Sequence, residues 1–143
     1  LMLLDNKEWE KLLKSAMKYG FTPRIRDPLE FAKQNRVLLM RHISSGLEID
    51  ISFGAMPFEE ECIARAKKIK FADFKIPIPT PEDLIIMKAV AHRPKDIEDI
   101  RTIVASHAKL DIKRIKLWII EFAKVLEMPE IWDDVKKIIC KKK

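Results

Sequence analysis

Between Leu47 and Phe53 the chain alternates without a break: Leu47, Ile49, Ile51 and Phe53 are apolar, and Glu48, Asp50 and Ser52 are polar. A period of two puts successive side chains on opposite faces of a strand, so this segment lays one face on a core and turns the other to water. A second apolar run, Val37–Ile43, precedes it, and only Ser44-Ser45-Gly46 separates the two. The pair reads as a β-hairpin whose second strand carries two carboxylates, Glu48 and Asp50, on its polar face.

Elsewhere the apolar spacing lengthens to that of helices. Trp9, Leu12, Leu13, Ala16 and Met17 mark a helix over Lys7–Tyr19, opened by Asp5 or Asn6 and closed by Gly20. Leu1–Leu4 before it reads as a buried strand, Phe21–Ile25 as a short strand and Leu29–Lys33 as a single helical turn. Pro57 opens a helix to about Lys67, with Glu59, Glu60 and Glu61 near its positive end. Ile69–Ile78 reads as extended with a bend at Asp73, and Pro77 and Pro79 keep its end out of a central strand. Thr80-Pro81-Glu82-Asp83 is the clearest local signal: a cap, a proline at the first helical position and an acidic first turn. That helix runs to about His92. Three more follow: one from Pro94 with Ile97, Ile100, Ile103 and Val104 inward, one over Ile112–Leu126, and one from Pro129 to Cys140. Lys141–Lys143 reads as a frayed tail. The expected fold class is α/β (α+β), a small mixed sheet flanked by helices with a C-terminal helical segment. Residues 1–79 form the α/β core, and residues 80–143 form helices packed on it as one structural unit.

Hydrophobic residues make up 48% of the 143 and charged residues 35%, enough for a core and a solvated surface. No apolar run approaches the ~20 residues that span a bilayer. Cys62 and Cys140 stand far apart, outside any CxxC pair, which argues against a cysteine metal or redox site and for the cytoplasm with both thiols reduced. The net charge of +6 points to a phosphate-bearing partner, nucleotide or nucleic acid, although many of the lysines sit beside Glu or Asp on helix faces. In particular, Lys67-Lys68-Ile69-Lys70 reads as a solvated strand edge before it reads as a phosphate-facing run.

The segment from Ile78 to Ile100 combines Glu82, Asp83, Lys88, Arg93, Asp96 and Asp99. This order, an extended approach, a Pro-Glu-Asp-Leu helix start, a helical Lys, then Arg and Asp-x-x-Asp, resembles the later motif of a broad group of nucleotidyltransferases. That group includes abortive-infection toxin and antibiotic-type nucleotidyltransferases. The resemblance extends from about Leu47 to Val104. It implies a sheet presenting three carboxylates that hold Mg2+ or Mn2+ on a nucleoside triphosphate. It also implies in-line attack by an acceptor hydroxyl on the α-phosphorus with loss of pyrophosphate. Asp50 matches the third carboxylate, with Glu48 two residues earlier on the same face as a second candidate metal ligand. Lys88 and Arg93 match phosphate-binding cations, and Asp96 matches a catalytic carboxylate that holds one or both of them. By spacing alone, Glu48 and Asp50 read first as solvent-facing hairpin residues. Lys88 reads equally as a lysine paired with Asp83, Glu82 or Asp96, and Asp99 as structural.

The group also needs a Gly-Ser or Gly-Gly helix start and an Asp-x-Asp, and neither stands in suitable position in these residues. Leu1–Leu4 resembles the remainder of the strand that carries Asp-x-Asp, so the missing carboxylates are expected just before Leu1. The acceptor is left open among a small molecule, a protein and an RNA end. So is the biological role, toxin–antitoxin systems included. Two other readings stand beside the enzyme: a catalytically inactive binding or regulatory module of the same fold, and a basic nucleic-acid-binding domain.

Overall fold

Asp5 caps the first helix, its carboxylate accepting from the Lys7 amide at 2.9 Å, and α1 spans Asn6–Lys18. The structure is a computed structural model and describes residues 1–141. It is a mixed α+β fold of two compact units, the first Leu1–Ile63 and the second beginning at Ala64. Gly20, with φ +81°, follows Tyr19 where the chain leaves α1. A Cβ there would meet the His42 ring at 3.3 Å, so both conformation and space favour glycine.

In the first unit, β1 (Phe21–Pro23), β2 (Val37–His42) and β3 (Glu48–Ser52) form an antiparallel sheet in that order. The β2–β3 hairpin is the one the alternation predicts, with Leu39 opposite Asp50 and Arg41 opposite Glu48. One face of the sheet buries Leu38 and Met40 with Phe53 against Trp9 and Leu13 of α1 and Ala32 of α2 (Pro28–Asn35). Trp9 stacks on Phe53 with ring centroids 4.2 Å apart. The helix α2 is longer than the single turn expected, because Pro28 suits its first position and Arg36 closes it in a left-handed conformation. The expectation of a buried strand at Leu1–Leu4 is not met. Met2 makes one parallel bridge to Phe53, and Leu1, Met2 and Leu3 remain exposed. The helix α3 (Pro57–Arg65) follows.

The second unit starts with a separate two-stranded antiparallel sheet, β4 (Lys67–Phe71) and β5 (Phe74–Ile78). The extended segment is therefore a hairpin that turns at Ala72 and Asp73, and it belongs to the unit that holds the helices. Four helices complete that unit: α4 (Pro81–Ala91), α5 (Pro94–Ser106), α6 (Ile112–Leu126) and α7 (Glu130–Cys140). The sequence of α4 is apolar nearly all round, which suits a central helix, and α4 contacts α5, α6 and α7. Ile85, Ile86, Ile100, Ile115, Ile119, Ile131 and Val135 are fully buried in this unit. Of the tail expected to fray, Lys142 and Lys143 lie outside the described residues. Among the described residues no helix is long and apolar enough to cross a membrane.

Candidate functional site

The sequence-selected residues fall into two groups, one in each unit. In the first unit, alternation along β3 places Glu48 and Asp50 on the sheet face opposite the core, both exposed. Arg24, just beyond β1, donates from one guanidinium nitrogen to Glu48 at 2.8 Å and from the other to Asp50. Its backbone amide pairs with Leu39 O at 3.0 Å, so it sits across β2 from Asp50 and reaches over that strand. Arg41, opposite Glu48 in the ladder, also binds the Glu48 carboxylate. The Arg41 hydrogen bond, with the charges of Arg24 and Arg41, holds Glu48 below the usual carboxylate range against the opposing effect of its desolvation. Asp50 keeps 63% of its side chain exposed.

In the second unit, α4 and α5 bring together Lys88, Arg93, Asp96 and Asp99. Thr80 caps α4 by accepting from the Asp83 amide. His92, left-handed at φ 50°, ends it. Pro94 then starts α5, which sets Asp96 and Asp99 three residues apart on one side. Lys88 Nζ lies 2.5 Å from Asp99 Oδ2 and 3.5 Å from Asp96 Oδ1. Arg93 donates to Asp96 through Nε at 2.6 Å and Nη2 at 3.2 Å. Asp96 is buried and shared by two cations. Its pKa is lowered, chiefly by the Arg93 hydrogen bond, and that of Lys88 is raised, chiefly by the Asp99 hydrogen bond. Asp96 is thus an anion and Lys88 a cation at neutral pH. Arg93 remains 74% exposed and has donors beyond the two that Asp96 engages.

Asp83 has a larger structural role than its place in the motif conveyed. Its carboxylate is fully buried. It accepts from Thr80 Oγ1 at 2.8 Å, Arg114 Nε at 2.8 Å and Arg65 Nε at 3.4 Å, joining α4 to α6 and to the end of α3. Glu82 accepts from the Asp111 amide at 3.1 Å, at the start of α6. Arg24, Arg41, Arg65 and Arg114 are the residues that sequence reasoning passed over. Arg41 faces Glu48 directly in the observed ladder.

Glu48 and Asp50 are two oxygen donors already bound by a guanidinium, and no group of three or more His, Cys, Asp or Glu among the described residues is placed to hold an ion.

The fold and these two groups define an α+β protein with a paired-carboxylate strand in one unit and a cation–carboxylate helix corner in the other. Residues 44–142 match the family described as nucleotidyl transferase of unknown function (DUF2204), and the chain belongs to that family. Family membership implies a nucleotide substrate. No curated protein matches the chain.

Proposed function

We propose that this protein moves a nucleotidyl group from a nucleoside triphosphate to an acceptor hydroxyl, in a reaction that requires Mg2+ or Mn2+. The observation that carries the proposal is the reach of the family match, residues 44–142, which takes in both the Asp50 strand and the Lys88–Asp99 corner. Lys88 and Arg93 are the phosphate-binding cations. Each is oriented by Asp96, and Arg93 has donors to spare for phosphate oxygens, which a guanidinium binds bidentately. Asp99 chiefly keeps Lys88 charged, and Asp96 lies within reach of both cations. In the first unit Asp50, the more exposed of the two β3 carboxylates, is the candidate metal ligand, and Glu48 stands beside it.

A second reading has its own support. Arg24 and Arg41 neutralise the β3 carboxylates, as they would in a relative that keeps the fold as a binding module without transfer. Assay of the full-length protein with each NTP, Mg2+ and candidate acceptors separates the two. Pyrophosphate release that Asp50→Asn abolishes supports the enzyme, and nucleotide binding without release supports the module.

A further inference from the structure

The β3 carboxylates already hold a cation, and it belongs to the chain. Pairing across the sheet sets it there: Leu39 stands opposite Asp50, and the Arg24 amide donates to Leu39 O at 3.0 Å. Arg24 is thus one strand removed from Asp50, a gap its long side chain spans. One terminal guanidinium nitrogen donates to Glu48 Oε2 at 2.8 Å and the other to Asp50 Oδ1. Residues i and i+2 of a strand share a face with Cα atoms about 7 Å apart, yet here a single planar group joins their side chains. The two carboxylates therefore converge on the space of one cation.

The contact is one that can open. Arg24 Nε is buried and bonds nothing, so the two carboxylates alone hold the guanidinium. Burying Nε unbonded costs free energy that release of the side chain to water removes. The Asp50 side chain is largely exposed, and an ion pair on so exposed a carboxylate is weak. Arg41 also binds Glu48, so when Arg24 leaves only Asp50 loses its counter-charge. The donor set suits a particular competitor. Carboxylate oxygens are what Mg2+ and Mn2+ take, and a doubly charged ion attracts them more strongly than a guanidinium does. Two cations cannot share that space, because like charges so close repel.

We propose that Arg24 is an autoinhibitory latch: it occupies Glu48 and Asp50 until a divalent metal ion displaces it. The inference rests on the reading of Asp50 as a metal ligand, and its test contains no nucleotide. The full-length protein is titrated with Mn2+ alone, free Mn2+ being read by its electron paramagnetic resonance signal. Arg24→Gln removes a positive charge about 4 Å from a doubly charged ion and is expected to bind Mn2+ about tenfold tighter than wild type. Arg24→Gln/Asp50→Asn is expected to lose that gain. Arg26→Gln removes the same charge from an exposed side chain two positions on. It is expected to change the affinity by less than about threefold, which separates displacement from net charge. Wild type supplies a second reading that no folding defect can disturb. Mg2+ is expected to free the Arg24 guanidinium, seen by nitrogen NMR of the arginine side chains as faster rotation about its Cζ–N bonds. Mn2+ affinity in Arg24→Gln no tighter than wild type would overturn the proposal. So would equal tightening in Arg26→Gln, or Arg24 signals that Mg2+ leaves unchanged. Failure of the latch leaves nucleotide binding through Asp50 and Lys88 standing, and a protein that binds no nucleotide can still show the Mn2+ competition.

Discussion

Lys88 and Asp99 meet at 2.5 Å, a lysine of α4 against a carboxylate of α5, with Asp96 Oδ1 3.5 Å from the same ammonium. The contact ties the two helices and presents the cation beside Arg93. It also raises the Lys88 pKa above 10.5. A folded-state pKa above the unfolded one gives stability that is complete below the unfolded value and lost as pH rises through the folded one. Wild type is therefore expected to lose stability above pH 10.5 more steeply than Lys88→Met, which starts lower at neutral pH. Urea midpoints measured along that alkaline series check it.

Asp96 gives the opposite limb. Its pKa lies below 3.8, with the Arg93 hydrogen bond the largest cause. A lowered carboxylate contributes stability above its unfolded value that is lost as pH falls through the folded one. Asp96→Asn is expected to be less stable at neutral pH and to show a shallower acid transition below about pH 4. A midpoint series in acid reads this directly.

Asp83 is expected to be the most sensitive polar position in the second unit. Asp83→Ala removes the buried carboxylate that Arg114 and Thr80 bond, and breaking one partner of a buried pair costs about 3–5 kcal/mol. Denaturant unfolding, followed by the fluorescence of Trp118 and Trp132, measures the loss.

Gly20→Ala tests the turn between α1 and β1. Positive φ and a Cβ only 3.3 Å from the His42 ring predict a loss of about 1 kcal/mol or more. Gly46→Ala, also at positive φ but with nothing within 4 Å, is expected to lose less. Denaturant unfolding followed by the fluorescence of Trp9, in the core of that unit, ranks the pair.

Much of the architecture was legible because it is local. The Thr80-Pro81 cap, Pro94 and Gly20 are punctuation read over a few residues, and the alternation at Leu47–Phe53 names the inward face of β3 for Ile49, Ile51 and Phe53, while Leu47, before the strand, is exposed. At the site, the closeness of Lys88, Asp96 and Asp99 follows from helix spacing across one short turn. The rest was hidden because it depends on pairing. Arg24 reaches Asp50 over β2, 26 positions away, and Asp83 finds Arg114 31 positions later. No local period records such partners. Leu1–Leu4 shows the converse: four apolar residues suit a strand, yet only Met2 pairs with a neighbour.

The central claim is that this chain handles a nucleoside triphosphate through Asp50 and Lys88. Calorimetric titration of the full-length protein with ATP, CTP, GTP and UTP in the presence of Mg2+ tests it most directly. At least one nucleotide is expected to bind one per chain. Asp50→Asn and Lys88→Met should each weaken that binding at least about tenfold, the order expected from losing one charged contact of about 1.5–3 kcal/mol. Asp50, being largely exposed, should do so with stability unchanged within about 0.5 kcal/mol. No binding of any of the four, or binding that neither substitution alters, would contradict the account.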